Sequence, residues 1–346
     1  MALDTQLPSS TRDSYLRRIE QDLNEIPEFA RLDALRYAIG LLDRGLPVLF
    51  DLGHLAFVSG VDPQIVGSIR QQPNSFYRRF LIRKRNGGSR VISAPTPQLR
   101  ALQDWLHINV TSHLRVHDAA HGFVPQRSIV TNAALHVGRP VLLKLDIKDF
   151  FGSVGRRPVY RAFRRLGYRR EMADLMTSLV TLEGGLPQGA PTSPALANNA
   201  AYGLDVRISA FVERRGITYT RYADDLTLSG PAVGDRSVRR TVEKIMRDEG
   251  FLPNESKRRF VRPHERQRVT GVVVNQRLGW PRERRRWLRQ EIHYLQRFGV
   301  ASHLERRGST RAGYRDYIYG HVYALNMLHP DEAGAYFAVL DQLDWI

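Results

Sequence analysis

The sequence predicts an α+β fold, and three observations carry that prediction. Helical periodicity fills the opening and closing segments. A glycine-rich hairpin follows the opening helices. Between residues 141 and 275 the pattern runs β-α-α-β-β-α-β. Mixed order with local hairpins argues against a doubly wound parallel sheet, which needs regular β-α alternation.

Residues 1–45 carry Ile26, Phe29, Leu32, Leu35, Ile39, Leu41 and Leu42 at near-helical spacing. Residues 47–72 predict short helices joined at Gly53 and Asp62-Pro63. Two strands, Phe80-Leu81-Ile82 and Arg90-Val91-Ile92-Ser93, flank Asn86-Gly87-Gly88-Ser89, where glycine supplies the positive φ of a hairpin turn. Leu99 to Val116 predicts a helix, and Val141 to Ile147 a strand. Residues 158–182 predict one helix with Val159, Phe163, Leu166, Met172, Leu175 and Leu179 inward. Residues 192–214 predict another, with Leu196, Ala200, Leu204, Ile208 and Phe211 on one face. Ile217 to Tyr222 and Leu226 to Ser229 alternate like strands around a tight connection. A helix over 238–250 ends at Gly250, strand-like runs follow at 259–262 and 268–274, and the last 65 residues are helical from Pro281 onward.

The chain has 346 residues, 42% hydrophobic and 25% charged, the balance of a soluble globular protein. Apolar runs of about 18 residues are missing, so no membrane span is expected, and the opening residues lack the apolar stretch of a signal peptide. There are no cysteines, which excludes disulfides and thiolate metal sites and points to the cytoplasm. A formal net charge of +17 suggests a polyanionic partner, most often nucleic acid.

Asp224 and Asp225 sit in Tyr222-Ala223-Asp224-Asp225, between two strand-like runs. Alone, such a pair is most simply a solvated turn. Asp146 changes the balance, because it ends the apolar strand Val141-Leu142-Leu143-Lys144-Leu145-Asp146-Ile147. A carboxylate there needs a partner, a cap or a cation. If that strand lies beside the hairpin, three acids converge, and divalent cations relieve their repulsion. Hard oxygen donors suit Mg²⁺, and two such ions support in-line phosphoryl transfer.

Leu145-Asp146-Ile147-Lys148-Asp149-Phe150-Phe151 and Tyr222-Ala223-Asp224-Asp225 resemble the two carboxylate motifs of the reverse transcriptase palm. Between them, Leu186-Pro187-Gln188-Gly189-Ala190-Pro191-Thr192-Ser193-Pro194 is similar to that family's substrate loop. The resemblance covers about residues 76–275 and implies a right-hand polymerase. A helical segment (1–75) would precede fingers (76–140), an antiparallel-sheet palm with fingers insertions (141–275) and a helical thumb (276–346).

The same resemblance implies the site residues. Asp146, Asp224 and Asp225 would hold two Mg²⁺ ions, with Ile147 as a further metal contact. Lys84 and Arg90 would lie over the incoming dNTP triphosphate, with Asp149 near it. Phe151 would be the steric gate against a 2′-hydroxyl, and Gln188 would contact the nascent pair. Lys257 would be the proton donor to pyrophosphate, although Pro253 stands where the family usually has an aliphatic residue. The alternatives for these residues are a solvated basic hairpin, two core phenylalanines, a capped helix-entry loop and a surface lysine.

Asn132-Ala133-Ala134-Leu135-His136 and Val269-Thr270-Gly271 resemble two markers of retron enzymes at the expected places in this frame. Asn132, His136, Val269, Thr270 and Gly271 are accordingly expected to contact RNA. So are Arg284, Arg285, Arg286 and Arg289, in a tail also carrying Arg277, Arg282, Arg297, Arg306, Arg307 and Arg311. Trp280, Trp287, Tyr294 and Phe298, interleaved there, are either core or base platforms. With only a short helical tail after the palm, no ribonuclease H, endonuclease or integrase domain is expected.

Retron resemblance implies a cognate structured non-coding RNA and priming from a 2′-OH. It also implies a branched RNA–DNA product (msDNA), a host ribonuclease H, a separate effector protein and a role in defence against phage. Competing readings are another bacterial reverse transcriptase class, a two-metal nucleotide cyclase, and a non-catalytic RNA scaffold.

Overall fold

The structure is a computed structural model that describes residues 28–83, 87–308 and 313–345. The helix expected before residue 28, Lys84 and Arg311 lie outside the described residues. Two compact units emerge among the described residues: those within 1–123, 147–207 and 243–253 form one, and those within 124–146, 208–242 and 254–346 the other. They interleave along the chain.

Helix α1 spans Glu28–Leu42. Its buried stripe is Ala34, Ala38 and Leu41, while Leu32, Leu35, Ile39 and Leu42 are exposed. Periodicity shows that a helix is present but does not say which of two apolar stripes packs. Helix α2 (Leu52–Ser59) starts where the Asp51 carboxylate accepts from the His54 amide and stops at Gly60, φ 68°. Helix α3 (Pro63–Gln71) reuses the device, with Asp62 capping Gln64. Strands β1 (Tyr77–Arg83) and β2 (Ser89–Pro95) pair from Tyr77↔Pro95 to Arg83↔Ser89. Helix α4 (Pro97–Asn109) ends earlier than the pattern suggested. Helix α5 (Ile129–Ala134) opens on a capping box of Ser128 and Thr131, and β3 covers Leu142–Asp146.

The single helix expected over 158–182 is two, α6 (Arg156–Leu166) and α7 (Arg170–Val180). Gly167, at φ 111°, ends α6 as a left-handed cap, so the helical phase restarts. The helix expected over 192–214 also divides, into α8 (Ser193–Ala200) and α9 (Tyr202–Glu213). The expected inward residues of both segments stay inward or half-buried. Strands β4 (Thr218–Tyr222) and β5 (Asp225–Ser229) form the predicted hairpin. Then come α10 (Arg236–Asp248), β6 (Arg259–Val261), β7 (Arg268–Val269) and β8 (Val272–Val273). Helices α11 (Arg282–Phe298), α12 (Val300–Arg306), α13 (Tyr314–Asn326) and α14 (Pro330–Leu340) close the chain.

In the first unit α4 and α7 meet through Gln103. Its buried amide donates to the Tyr77 hydroxyl at 2.8 Å and the Leu179 carbonyl at 2.9 Å. The second unit holds an antiparallel sheet in the order β4-β5-β3-β6, with Asp146 directly opposite Asp225. Its C-terminal helices share a core that includes Trp280, Leu288, Ile292, Leu295, Ile318 and Val322. Among the described residues no helix is long and apolar enough to cross a membrane.

Candidate active site

Strand β3 ends in Asp146, strand β5 begins with Asp225, and a two-residue connection brings Asp224 beside them. Each of the three offers a carboxylate oxygen, and these oxygens lie within 4.8 Å of one another. Ala223 enters the turn with φ 55°, a conformation that side chains disfavour. Its carbonyl accepts from the Arg221 guanidinium at 3.1 Å, and Arg221 is fully buried. Backbone strain is therefore held at the tip that carries the acids.

Asp146 is only 3% exposed. Asn254 donates to its Oδ1 at 2.9 Å and Lys257 to its Oδ2 at 2.6 Å. The main chain reinforces this, since the Asn254 amide donates to the Asp146 carbonyl at 2.7 Å. Burial pushes Asp224 up from 3.8 to about 6, helped by repulsion from Asp225 and Asp146. Burial raises Asp225 as well; Lys144 offsets part of that, and Asp146 adds to it. Burial pulls the Lys257 ammonium down, but its hydrogen bond to Asp146 and the attraction of all three acids hold it above its ordinary value.

These residues fit a divalent cation. The donors are all hard carboxylate oxygens, they converge, and two of them are reluctant to ionise without added positive charge. Lys257 hydrogen-bonds Asp146 and only partly offsets the burial and repulsion that raise Asp224 and Asp225. Ile147 is 1% exposed with an apolar side chain, so only its carbonyl has a lone pair to offer a metal.

Sequence reasoning missed Asn254 and Arg221. Asn254 lies within the stretch that pointed to Lys257, yet nothing in its spacing marks it as an Asp146 partner. Arg221 precedes the acids on a strand, where a charged residue is expected to be solvated. The structure buries it, with its guanidinium donating to the Ala223 carbonyl in the turn.

The expected dNTP contacts Arg90, Asp149, Phe151 and Gln188 all belong to the first unit. The loop that carries Gln188 is tied there to β2 and to Phe151. The Ser93 amide on β2 donates to the Gln188 carbonyl at 2.8 Å, and the Leu186 amide donates to the Phe151 carbonyl at 3.3 Å. Gly189 has φ 125°, and a Cβ on it would stand 3.0 Å from Ile92 Cγ2 and from the Ser93 carbonyl oxygen. Glycine is thus required for the loop to lie against β2. Phe150 is core, whereas Phe151 is half-buried between the Phe150 and Phe123 rings. Arg90 and Asp149 are exposed, and Asp149 takes φ 49°.

The residues expected to meet RNA divide sharply. Asn132, His136 and Val269 are buried to 1% exposure or less. Both ring nitrogens of His136 are occupied by Ser229 and Thr220 hydroxyls. In this structure they are interior groups that present no face to RNA, contrary to the expectation. Motif spacing locates a residue on the chain but not the side of the element it faces. Thr270 and Gly271 form the β7–β8 turn, and Arg286 is exposed. Arg285 and Arg289 approach the Glu332 carboxylate at 2.6 and 3.8 Å, and Arg284 lies over the Trp280 ring. Trp280 is core, Trp287 and Tyr294 are half-buried, and Phe298 is 38% exposed beneath Arg306.

Residues 82–295 match the family described as reverse transcriptase (RNA-dependent DNA polymerase). The chain is 42% identical over 276 residues to the retron Mx65 reverse transcriptase of Myxococcus xanthus, covering 74% of this chain and 62% of that protein. It is 33% identical over 264 residues to the retron Ec86 reverse transcriptase of Escherichia coli, covering 74% of this chain and 81% of that one. Among solved structures it resembles Candida albicans telomerase in complex with a TWJ fragment of telomeric RNA. That likeness has TM-score 0.42 and 12% identity, over 78% of this chain and 55% of the other.

Proposed function

The chain belongs to the reverse transcriptase family, among the retron enzymes, and on that premise we propose that it is an RNA-templated DNA polymerase acting on a cognate structured non-coding RNA. The observation that carries the reading is the convergence of Asp146, Asp224 and Asp225 on one hairpin tip and the facing strand end.

In this reading Asp146, Asp224 and Asp225 would hold two Mg²⁺ ions. Bound there, such ions supply the charge that stabilises the attacking and leaving oxygens of phosphoryl transfer. Asn254 and Lys257 hold the Asp146 carboxylate in place. Lys257 stays protonated and is the proton donor suited to a leaving pyrophosphate. Arg90, with Lys84, is assigned to the triphosphate, with Asp149 near it. Phe151 excludes a ribose 2′-hydroxyl, and Gln188 contacts the nascent pair. Arg284 and Arg286 are assigned to RNA phosphates.

The finer proposal follows the retron relatives. Synthesis starts from a 2′-OH of the RNA and leaves branched RNA–DNA, with a host ribonuclease H trimming the template. The product and a separate effector protein work in cytoplasmic defence against phage. The test has two parts. Purified protein should extend oligo(dT) on poly(rA) with dTTP and Mg²⁺, and Asp225→Asn should not, while still binding RNA. Nucleic acid copurified from the native host should contain short DNA joined to RNA through a 2′,5′ linkage. Absence of any extension by the wild type would defeat the polymerase reading; unbranched product would defeat the retron priming alone.

A further inference from the structure

The two marker segments that sequence reasoning assigned to RNA form one interior buckle behind the acidic hairpin. We propose that His136, held by that buckle, is a positioning residue: it sets the β4–β5 hairpin so that Asp224 and Asp225 meet Asp146 at cation-binding distance. The inference rests on the polymerase reading for its activity arm and stands apart from it in its metal-binding arm.

His136 lies just past α5 and is fully buried. Its Nδ1 is 2.6 Å from Ser229 Oγ and its Nε2 is 2.8 Å from Thr220 Oγ1. Thr220 is on β4 and Ser229 on β5, so one imidazole ties both strands of the hairpin that ends in Asp224 and Asp225. Both hydroxyls are themselves buried, at 1% and 0% exposure. A neutral imidazole donates to one hydroxyl and accepts from the other, so neither is left unmatched. Removing the ring would orphan two buried hydroxyls and open a cavity at the back of the hairpin.

The ring is precise only if α5 is fixed, and the second marker fixes it. Thr270 Oγ1 donates to the Ile129 carbonyl at 2.9 Å, and Asn132 Nδ2 stands 3.5 Å from Thr270 Oγ1. Ala133, Leu142, Val269, Val272 and Val274 pack as one apolar cluster, joining α5, β3 and the β7–β8 hairpin. That hairpin turns through Thr270 at φ 48° and Gly271 at φ 88°. Two consecutive positive φ values suit a two-residue hairpin, but a β-branched residue is costly there. Its hydroxyl explains the choice, because glycine in its place could not hold Ile129. Asn132 and Thr270 thus hold α5, and His136 just past that helix meets Thr220, four residues from Asp224, and Ser229, four residues from Asp225.

The test compares full-length wild type, His136→Ala, His136→Gln and Thr220→Val, the last nearly isosteric in case alanine unfolds the chain. Three quantities are measured: Mn²⁺ binding by electron paramagnetic resonance, affinity for poly(rA)·oligo(dT), and single-turnover dTTP incorporation at saturating primer-template. Loss of a group that orients ligands costs about 10- to 100-fold in metal affinity or activity. His136→Ala should show a loss in that range in Mn²⁺ affinity and incorporation rate, and Thr220→Val a smaller loss of both. Primer-template affinity should not change, and His136→Gln, which keeps a donor and an acceptor, should recover part of the loss. Weaker primer-template binding with normal Mn²⁺ affinity would make His136 an RNA determinant and overturn the proposal. A lowered melting temperature with wild-type Mn²⁺ affinity and rate in the folded fraction would reduce it to general packing and also overturn it. If the wild type binds Mn²⁺ but does not polymerise, the functional reading fails while the Mn²⁺ comparison still decides this one.

Discussion

Lys257 holds Asp146 by a 2.6 Å ion pair in which the carboxylate is 3% exposed and the lysine side chain about half exposed, at 51%. The pair is lopsided: the acid cannot reach water, but its partner can. Asn254 is the other donor to the Asp146 carboxylate. Lys257→Met should therefore leave a buried charge with one fewer hydrogen bond. A hydrogen bond to a charged group is worth about 1.5–3 kcal/mol, and the exposure of Lys257 places the loss near the lower end. The metal-free protein should melt a few degrees lower, and saturating Mg²⁺ should raise the melting temperature by more than in wild type. An unchanged Mg²⁺ increment would show that Lys257 does not share the charge of the triad.

Asp224 makes the opposite contribution. Its folded value of about 6 lies above the ordinary 3.8, so the folded state holds a proton that the unfolded state has released between those values. Stability from this group is full below pH 3.8 and is lost as pH rises toward about 6. At neutral pH without metal the ionised carboxylate is a burden. Asp224→Asn should raise the melting temperature of EDTA-treated protein at pH 7.5 while abolishing DNA synthesis. Added Mg²⁺ should narrow the difference by stabilising only the wild type. A metal-free variant less stable than wild type would contradict the repulsion assigned to the triad.

The contrast between these residues shows what the sequence could convey. Asp146 was legible because it ends an apolar strand where an unpaired acid has no structural use, and Asp224 and Asp225 because they sit between two alternating strand-like runs in that same frame. The hairpin around Ala223 was legible for the same reason. Asn254 and His136 were not, since each is defined by a partner far along the chain, and Arg221 was not, since its burial is set by tertiary packing although its Ala223 partner is local. Asn254 meets Asp146 across 108 positions, and His136 meets Ser229 across 93. The split at Gly167 had a local signal, a glycine after Arg164-Arg165-Leu166, but the one at Ala201 had none. The α1 stripe misled because leucine and isoleucine lie on its exposed side, and only tertiary packing selects the alanine face.

Gly189→Ala tests the loop that carries Gln188. The added methyl would press on Ile92 Cγ2 and the Ser93 oxygen at 3.0 Å, from a residue whose φ of 125° resists any side chain. The loop must move away from β2, taking Gln188 with it. A misplacement of about 1 Å at a positioning group costs roughly 100-fold at most, so a rise in the KM for dTTP of about tenfold is expected. Mn²⁺ affinity should stay at the wild-type level, because the methyl contacts none of the three acids. A normal KM would remove Gln188 from the substrate site.

The arginines of α11 should not behave alike. Arg285 and Arg289 share Glu332, so reversing their charge places acids against a carboxylate that is 20% exposed and strains the α11–α14 contact. Arg286 is exposed, and Arg284 lies across Trp280 with no acid among its described contacts. An arginine that meets RNA phosphate loses affinity on reversal and lowers the salt dependence of binding by about one unit of slope. Arg284→Glu and Arg286→Glu should each show that signature with a nearly unchanged melting temperature. Arg285→Glu should lower the melting temperature first, with any loss of RNA affinity following from the shifted helix. Equal salt slopes for wild type and Arg286→Glu would place the RNA path elsewhere on the protein and leave the positive charge of α11 as a solvated face.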